Sequence, residues 1–377
     1  LPLGSPLGSL SKKHYRSNCI MFCVLGDCNE EACHNCFPVK NCSLQHSYCL
    51  KNGIFREIFH ENRVVVTGCA GFIGSHVCET LLQQNVEIIG IDNMDPYYDV
   101  TLKEYNISLL KQYTHFTFHQ EDVCSTNVIK QYKPTKVIHL ASMAGVRNSI
   151  EDPQKYVHVN IQGFVHILEE CVKHNVLNVV YASSSSVYGL NSKTPFNEND
   201  PIDKCNSPYA ASKRAMEIFA QTYSQLYNIT TIGLRFFTVY GPRGRPDMAP
   251  YKFLKAIQNN EPIDKYGDGV SSRDYTYIDD IVNGIIGALY NRANVTCEIY
   301  NLGNSRPITL NKFISTCEKV TGKKAIINQM NQQIGDVPHT AACIMKAYQH
   351  LDYCPRVTLE EGLKQCVKKL ATFKSTN

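Results

Sequence analysis

The stretch that most limits how this chain can fold is Val64-Val65-Val66-Thr67-Gly68-Cys69-Ala70-Gly71-Phe72-Ile73-Gly74-Ser75-His76. A β-branched run breaks at a glycine, further glycines follow in GxxGxxG spacing, and a helical pattern begins. This reads as a strand, a tight turn and a helix start. Glycine at these points lets backbone N–H groups approach a pyrophosphate at the positive end of the helix. Gly68, Gly71, Phe72, Ile73 and Gly74 are therefore expected to hold a dinucleotide. The next strand-like run ends Ile91-Asp92-Asn93, about 20 residues on, where a carboxylate hydrogen-bonds the adenosine ribose and repels a 2′-phosphate. Asp92, with Asn93 beside it, favours NAD over NADP.

Strand-like runs at Glu87–Ile91, Lys136–Leu140, Asn178–Ala182 and Thr230–Leu234 alternate with amphipathic segments such as Val157–His174 and Ala210–Tyr227. That alternation predicts an α/β fold, a Rossmann-like doubly wound parallel sheet. After Gly241 the pattern loosens into Pro/Gly-rich loops and shorter helices. The expected organisation is a cysteine-rich extension over residues 1–60, a dinucleotide-binding domain over 61–240, and over 241–377 a smaller C-terminal substrate-binding lobe interleaved with the last elements of the sheet.

Composition excludes several classes. A formal charge of +4, with cationic runs no longer than pairs, does not suit nucleic acid. No stretch nears the roughly 18 apolar residues that span a bilayer. The opening LPLGSPLGS lacks a methionine and reads as a cloning remnant or a truncated precursor, which leaves room for a removed anchor. Of 17 cysteines, seven precede residue 50. The scattered remainder suit small buried hydrophobes in a reducing, cytoplasmic setting, against which four sequons, at Asn41, Asn106, Asn228 and Asn294, pull weakly. Cys33, His34, Cys36, Cys42, His46 and Cys49 could supply zinc ligands, but their spacing matches no standard finger, so an unstructured or locally packed extension without metal is expected.

Tyr209-Ala210-Ala211-Ser212-Lys213 places a phenol and an ammonium one helical turn apart. A nearby lysine charge lowers a phenol's pKa, so Tyr209 is the expected base and Lys213 its tuner. Upstream, Val179-Val180-Tyr181-Ala182-Ser183-Ser184-Ser185-Ser186-Val187-Tyr188-Gly189 is a buried strand ending in hydroxyls.

These elements resemble the extended short-chain dehydrogenases. From Gly68 to about Lys369 the chain is similar to the UDP-glucuronate 4-epimerases, on DNMDPYYDVTLK, HLASMAGVRNSIEDP, YASSSSVYG, SPYAASK, LRFFTVYGPRGRPDMA, RDYTYIDDI, YNLGNSRPI and GDVP. The resemblance implies that Asp122 and Val123 meet adenine, that Leu140, Ala141 and Ser142 line the cofactor channel, and that Asn160, Phe236, Tyr209 and Lys213 complete the NAD site. It implies Ser184 as the catalytic hydroxyl, four residues before Tyr188, with Ser185 and Ser186 beside the substrate. Arg273 would clamp the diphosphate, Tyr266 stack on uracil and Asp336 bond the uridine ribose. Arg245, Thr238 and Arg147 would meet a sugar carboxylate.

The implied reaction is C4 epimerisation of UDP-glucuronate to UDP-galacturonate through a 4-keto sugar, by an isomerase that is expected to be a homodimer. The main competing reading is a 4-epimerase for UDP-N-acetylglucosamine or UDP-glucose. The related 4,6-dehydratases carry an Asp-Glu pair where this chain has Ser185 and Ser186, which disfavours dehydration. A non-catalytic NAD-binding protein would be expected to lose the hydroxyl, phenol or ammonium, and all three are present.

Overall fold

The computed structural model describes residues 63–290, 295–331 and 337–374. It opens with β1 (Arg63–Thr67), α1 (Phe72–Gln83), β2 (Glu87–Ile91), α2 (Val100–Leu110), β3 (Phe116–His119), α3 (Val128–Tyr132) and β4 (Lys136–His139). Then come α4 (Val146–Glu151), α5 (Pro153–Tyr156), a π-helical stretch (Val157–Gln162), α6 (Gly163–Lys173), β5 (Asn178–Ser184), α7 (Pro208–Tyr227) and β6 (Thr230–Phe236). The last part holds β7 (Thr238–Tyr240), α8 (Ala249–Asn259), β8 (Pro262–Tyr266), β9 (Ser272–Arg273), β10 (Tyr275–Tyr277), α9 (Ile278–Leu289) and β11 (Cys297–Leu302). It ends with β12 (Ile308–Thr309), α10 (Leu310–Thr321), β13 (Ile326–Met330), α11 (Met345–Leu351) and α12 (Leu359–Lys374).

Seven parallel strands form the central sheet in the order β11-β6-β5-β4-β1-β2-β3. Strands covered on both faces read as nearly continuous apolar runs, and Val64, Val65 and Val66 are fully buried. On one face α6 and α7 lay Phe164, Ile167, Leu168, Met216 and Ala220 against Val65, Ile89, Val137 and Val179. The α1 and α9 helices pack together and cover the other face. The sheet continues past Gly241, where Cys297–Leu302 pairs with Thr231–Phe236.

The α7 helix, which carries Tyr209 and Lys213, has clear sequence-encoded ends. Ser207 caps α7 by accepting from Ala210 N, and Pro208 fills the first turn, where its missing N–H costs nothing. Asn228 ends the helix in the left-handed region at φ 54°. By contrast, the expected helix Val157–His174 starts with π-helical turns. This stretch holds Asn160, which is fully buried and bonds to two other segments.

Beyond the sheet, β7 pairs with β10, β8 with β13, and β9 with β12, while α8, α10 and α12 pack against one another. No helix among the described residues is long and apolar enough to cross a membrane. All ten described cysteines are free. The sequon at Asn106 is a structural feature, since its side chain is buried and donates to Ala70 O at 2.8 Å. The cysteine-rich segment lies outside the described residues.

Candidate active site

Register brings the functional residues to one edge of the sheet. Thr67 lies opposite Ile91 on one side and His139 on the other, and His139 lies opposite Tyr181. Gly68, Asp92, Leu140 and the end of β5 therefore emerge together at the carboxyl ends of the strands. Between β1 and β4 the chain connections diverge, which is where open α/β sheets leave a crevice for ligands. A cavity of about 460 Å³ opens there.

Most of the expected residues form its wall. Gly68, Gly71, Phe72, Ile73, Gly74, Asp92, Asn93, Val123, Leu140, Ala141, Ser142 and Phe236 line one part. Ser184, Ser185, Ser186, Tyr209, Lys213, Thr238 and Arg245 line the rest.

The glycine turn is shaped for close approach. Gly68 has φ +72°, and a Cβ there would lie 2.7 Å from Ala141 N; a Cβ on Gly74 would lie 2.0 Å from Gly68 O. The α1 helix starts at Gly71 without a side-chain cap, so its first N–H groups remain for an anion. Asp92 is buried; its carboxylate accepts from Ala70 N at 3.2 Å and Met94 N at 2.9 Å, with Lys103 Nζ at 3.4 Å. Donor cradle and strand-end carboxylate fit a dinucleotide.

Other expected residues lie behind or beyond this wall. Asp122 accepts from Asn93 Nδ2 at 3.1 Å and Cys124 N at 2.8 Å, so it positions Asn93. Asn160 spends its amide on Ser142 Oγ, Met143 N and O, and Ser212 Oγ, tying the β4 loop to α7. It thereby braces Ser142 and Met143, which line the cavity. The Arg147 guanidinium lies 5.7 Å from the Tyr266 ring centroid, outside the cavity wall. Arg273 donates to Ser272 O and Pro338 O. Asp336 lies outside the described residues.

Where Ser184, Tyr209 and Arg245 line the cavity, burial raises the Tyr209 phenol above its usual pKa, while the Ser184 hydroxyl and the Arg245 charge pull it back. Lys213, the expected tuner of Tyr209, lies in the same cavity wall. Burial lowers Lys213 to about 7, and its Nζ donates to Ala182 O at 2.7 Å. Arg245 forks onto Asp247 through Nε at 3.0 Å and Nη2 at 2.6 Å, and stacks 5.2 Å from the Tyr97 ring centroid. Arg243 is buried against Glu79.

This juxtaposition of a glycine cradle and a Ser–Tyr–Lys cluster has a close parallel among known proteins. Residues 64–303 match the NAD dependent epimerase/dehydratase family. The chain belongs to that family. Among the similar members of the epimerase/dehydratase family, Protein CapI of Staphylococcus aureus is 43% identical over 328 residues, covering 81% of this chain and 97% of its own. A UDP-glucuronate 4-epimerase of Thermodesulfobacterium geofontis is 43% identical over 308 residues, covering 80% of this chain and 94% of its own. In structure, the chain is similar to a UDP-glucuronic acid 4-epimerase from Bacillus cereus solved with UDP-glucuronic acid and NAD. The TM-score is 0.78 and the identity 36%, over 82% of this chain and 99% of that one.

Four residues near the epimerase/dehydratase site escape sequence reasoning. Tyr97 and Lys103 line the cavity from the DNMDPYYDVTLK segment, which carried the resemblance without naming either. Asp247 follows Arg245 closely in sequence, but only geometry reveals the ion pair. Glu217 continues the Tyr209 and Lys213 spacing by one more turn, a signal that was available.

Proposed function

We propose that this protein is an NAD-dependent 4-epimerase that converts UDP-glucuronate to UDP-galacturonate. The observation that carries the reading is that Ser184, Tyr209, Lys213, Thr238 and Arg245 line the same cavity as the glycine cradle and Asp92. NAD, held by the glycine cradle and Asp92, would supply the hydride acceptor for C4 and a positive charge that would favour the Tyr209 phenolate.

The chain's own residues do the rest. Tyr209 takes the C4 hydroxyl proton and later returns it, while Ser184 holds the C4 oxygen. Lys213 binds the cofactor ribose. Arg245, assisted by Thr238, holds the C6 carboxylate. At the 4-keto stage that carboxylate belongs to a β-keto acid, and holding its C5–C6 bond out of line with the carbonyl π system suppresses loss of carbon dioxide. The glycine cradle and Asp92 support residues 61–240 as the NAD domain, and residues 241–377 then supply the grip on the nucleotide. For that grip we retain Arg273, Tyr266, Arg147 and Asp336. Pairing into a homodimer is supported by Ile150, Val157 and Ile218, which are exposed on segments that pack together.

The test is to incubate the purified protein separately with UDP-glucuronate, UDP-glucose and UDP-N-acetylglucosamine and identify the products. UDP-galacturonate from the first, with little conversion of the others, is expected. Efficient turnover of a neutral sugar alone would move the assignment to the competing 4-epimerases.

A further inference from the structure

A guanidinium carries five N–H donors, and on Arg245 most are already committed. Nε and Nη2 bind the two oxygens of Asp247, and Nη2 also reaches Ala144 O at 3.5 Å. The Tyr97 ring covers one face of the cation. Nη1 makes no hydrogen bond among the described residues. An anion entering the cavity therefore meets one nitrogen rather than a fork, on a cation that already has a carboxylate.

We propose that Asp247 is a specificity-setting counter-ion that weakens the hold of Arg245 on the sugar carboxylate, so that the hexose can let go and turn over in the pocket. This rests on the reading of Arg245 as the carboxylate subsite. An epimerase has to present both faces of C4, and a carboxylate locked by a full fork would oppose that rotation. The turn from Arg245 to Met248, closed by a backbone bond of 3.2 Å, fixes Asp247 at the side of the cation.

Two effects oppose each other when the Asp247 charge is removed. Arg245 gains freedom, which weakens binding; repulsion between two carboxylates sharing one cation disappears, which strengthens it. The second wins here. Tyr97 and Ala144 still hold the guanidinium, and with Arg245 19% and Asp247 34% exposed, solvent weakens the repulsion without removing it.

The experiment uses Asp247→Asn in a Tyr209→Phe background, which prevents turnover, with binding of UDP-glucuronate and UDP-glucose measured by calorimetry. UDP-glucuronate should bind about tenfold more tightly than to Tyr209→Phe alone, with UDP-glucose unchanged within about twofold. In the otherwise wild-type chain, Asp247→Asn should lower both KM and kcat for UDP-glucuronate. Unchanged or weaker UDP-glucuronate binding would overturn the proposal, as would equal shifts for both ligands. Asp247→Ala serves as a second variant, and loss of folding in both would make the pair a structural brace and overturn it too. If Tyr209→Phe itself prefers UDP-glucose, the carboxylate subsite fails and the proposal falls with it; if the preference for UDP-glucuronate stands, only the role of Asp247 is at stake.

Discussion

Arg235 grips Glu217 along both edges, Nε donating to Oε1 at 2.8 Å and Nη2 to Oε2 at 3.0 Å. Both side chains are almost wholly buried. Ser183 Oγ adds a bond to Oε1 at 2.6 Å. The pair thereby ties α7, which carries Tyr209 and Lys213, to β6 and to the residue preceding Ser184. Arg235 also donates to Tyr188 Oη at 2.9 Å, and Tyr188 donates to Asn301 on β11 at 2.7 Å.

Breaking one partner of such a pair leaves a buried charge uncompensated. Glu217→Gln should therefore cost about 3 kcal/mol or more of folding stability, read as a shift in the urea unfolding midpoint. A loss below about 1 kcal/mol, the range of exposed ion pairs, would show that solvent reaches the pair.

Gly68→Ala and Gly74→Ala should both empty the cofactor cradle. The first forces a side chain onto φ +72°, and the second drives a Cβ into the Gly68 carbonyl. Backbone strain of this kind costs about 1–3 kcal/mol. Denatured wild-type protein is expected to release NAD, and each variant little or none; full retention in Gly74→Ala would contradict the cradle.

The contrast between these two features explains what the sequence could reveal. The cradle and the Tyr209/Lys213 pair rest on contacts within one turn or helix, so spacing displays them. Alternating runs likewise gave the sheet, because parallel strands must be apolar on both faces. Glu217 and Arg235 meet only after β5, α7 and β6 have packed, and neither residue announces its partner. Asp122 and Asn160 stand at the expected positions along their segments, and the fold shows their polar atoms engaged by Asn93 and by the Ser142–Met143 loop of the cavity wall. Spacing locates a residue on an element without saying which neighbour takes its polar atoms. Lys213 shows the same point: spacing puts it one turn from Tyr209, while only the packed fold shows its Nζ donating to the Ala182 carbonyl.

Tyr209→Phe should retain bound NAD and lose turnover by at least about 10²-fold, the scale of general acid–base catalysis. Ser184→Ala removes the hydroxyl that draws the Tyr209 pKa down, so its activity optimum should move to higher pH. An unchanged profile in Ser184→Ala would detach the two residues.

His139 should make the fold acid-sensitive. Burial, with a contribution from the Lys213 charge, lowers its pKa to about 3, against about 6.5 in the unfolded chain. Between those values the unfolded state binds the extra proton, so stability is present above about 6.5 and is lost as pH falls towards 3. Urea titrations at pH 7 and pH 5 should show a smaller loss in His139→Gln than in wild type. An equal loss in both would mean His139 carries no part of the acid response.

The most direct measurement of the whole account follows the hydrogen at C4. UDP-glucuronate carrying deuterium at that carbon, incubated in ordinary water and analysed by NMR, should yield UDP-galacturonate with deuterium still at C4, because hydride leaves and returns within one site. Loss of the label to solvent, or the absence of UDP-galacturonate from the products, would contradict it.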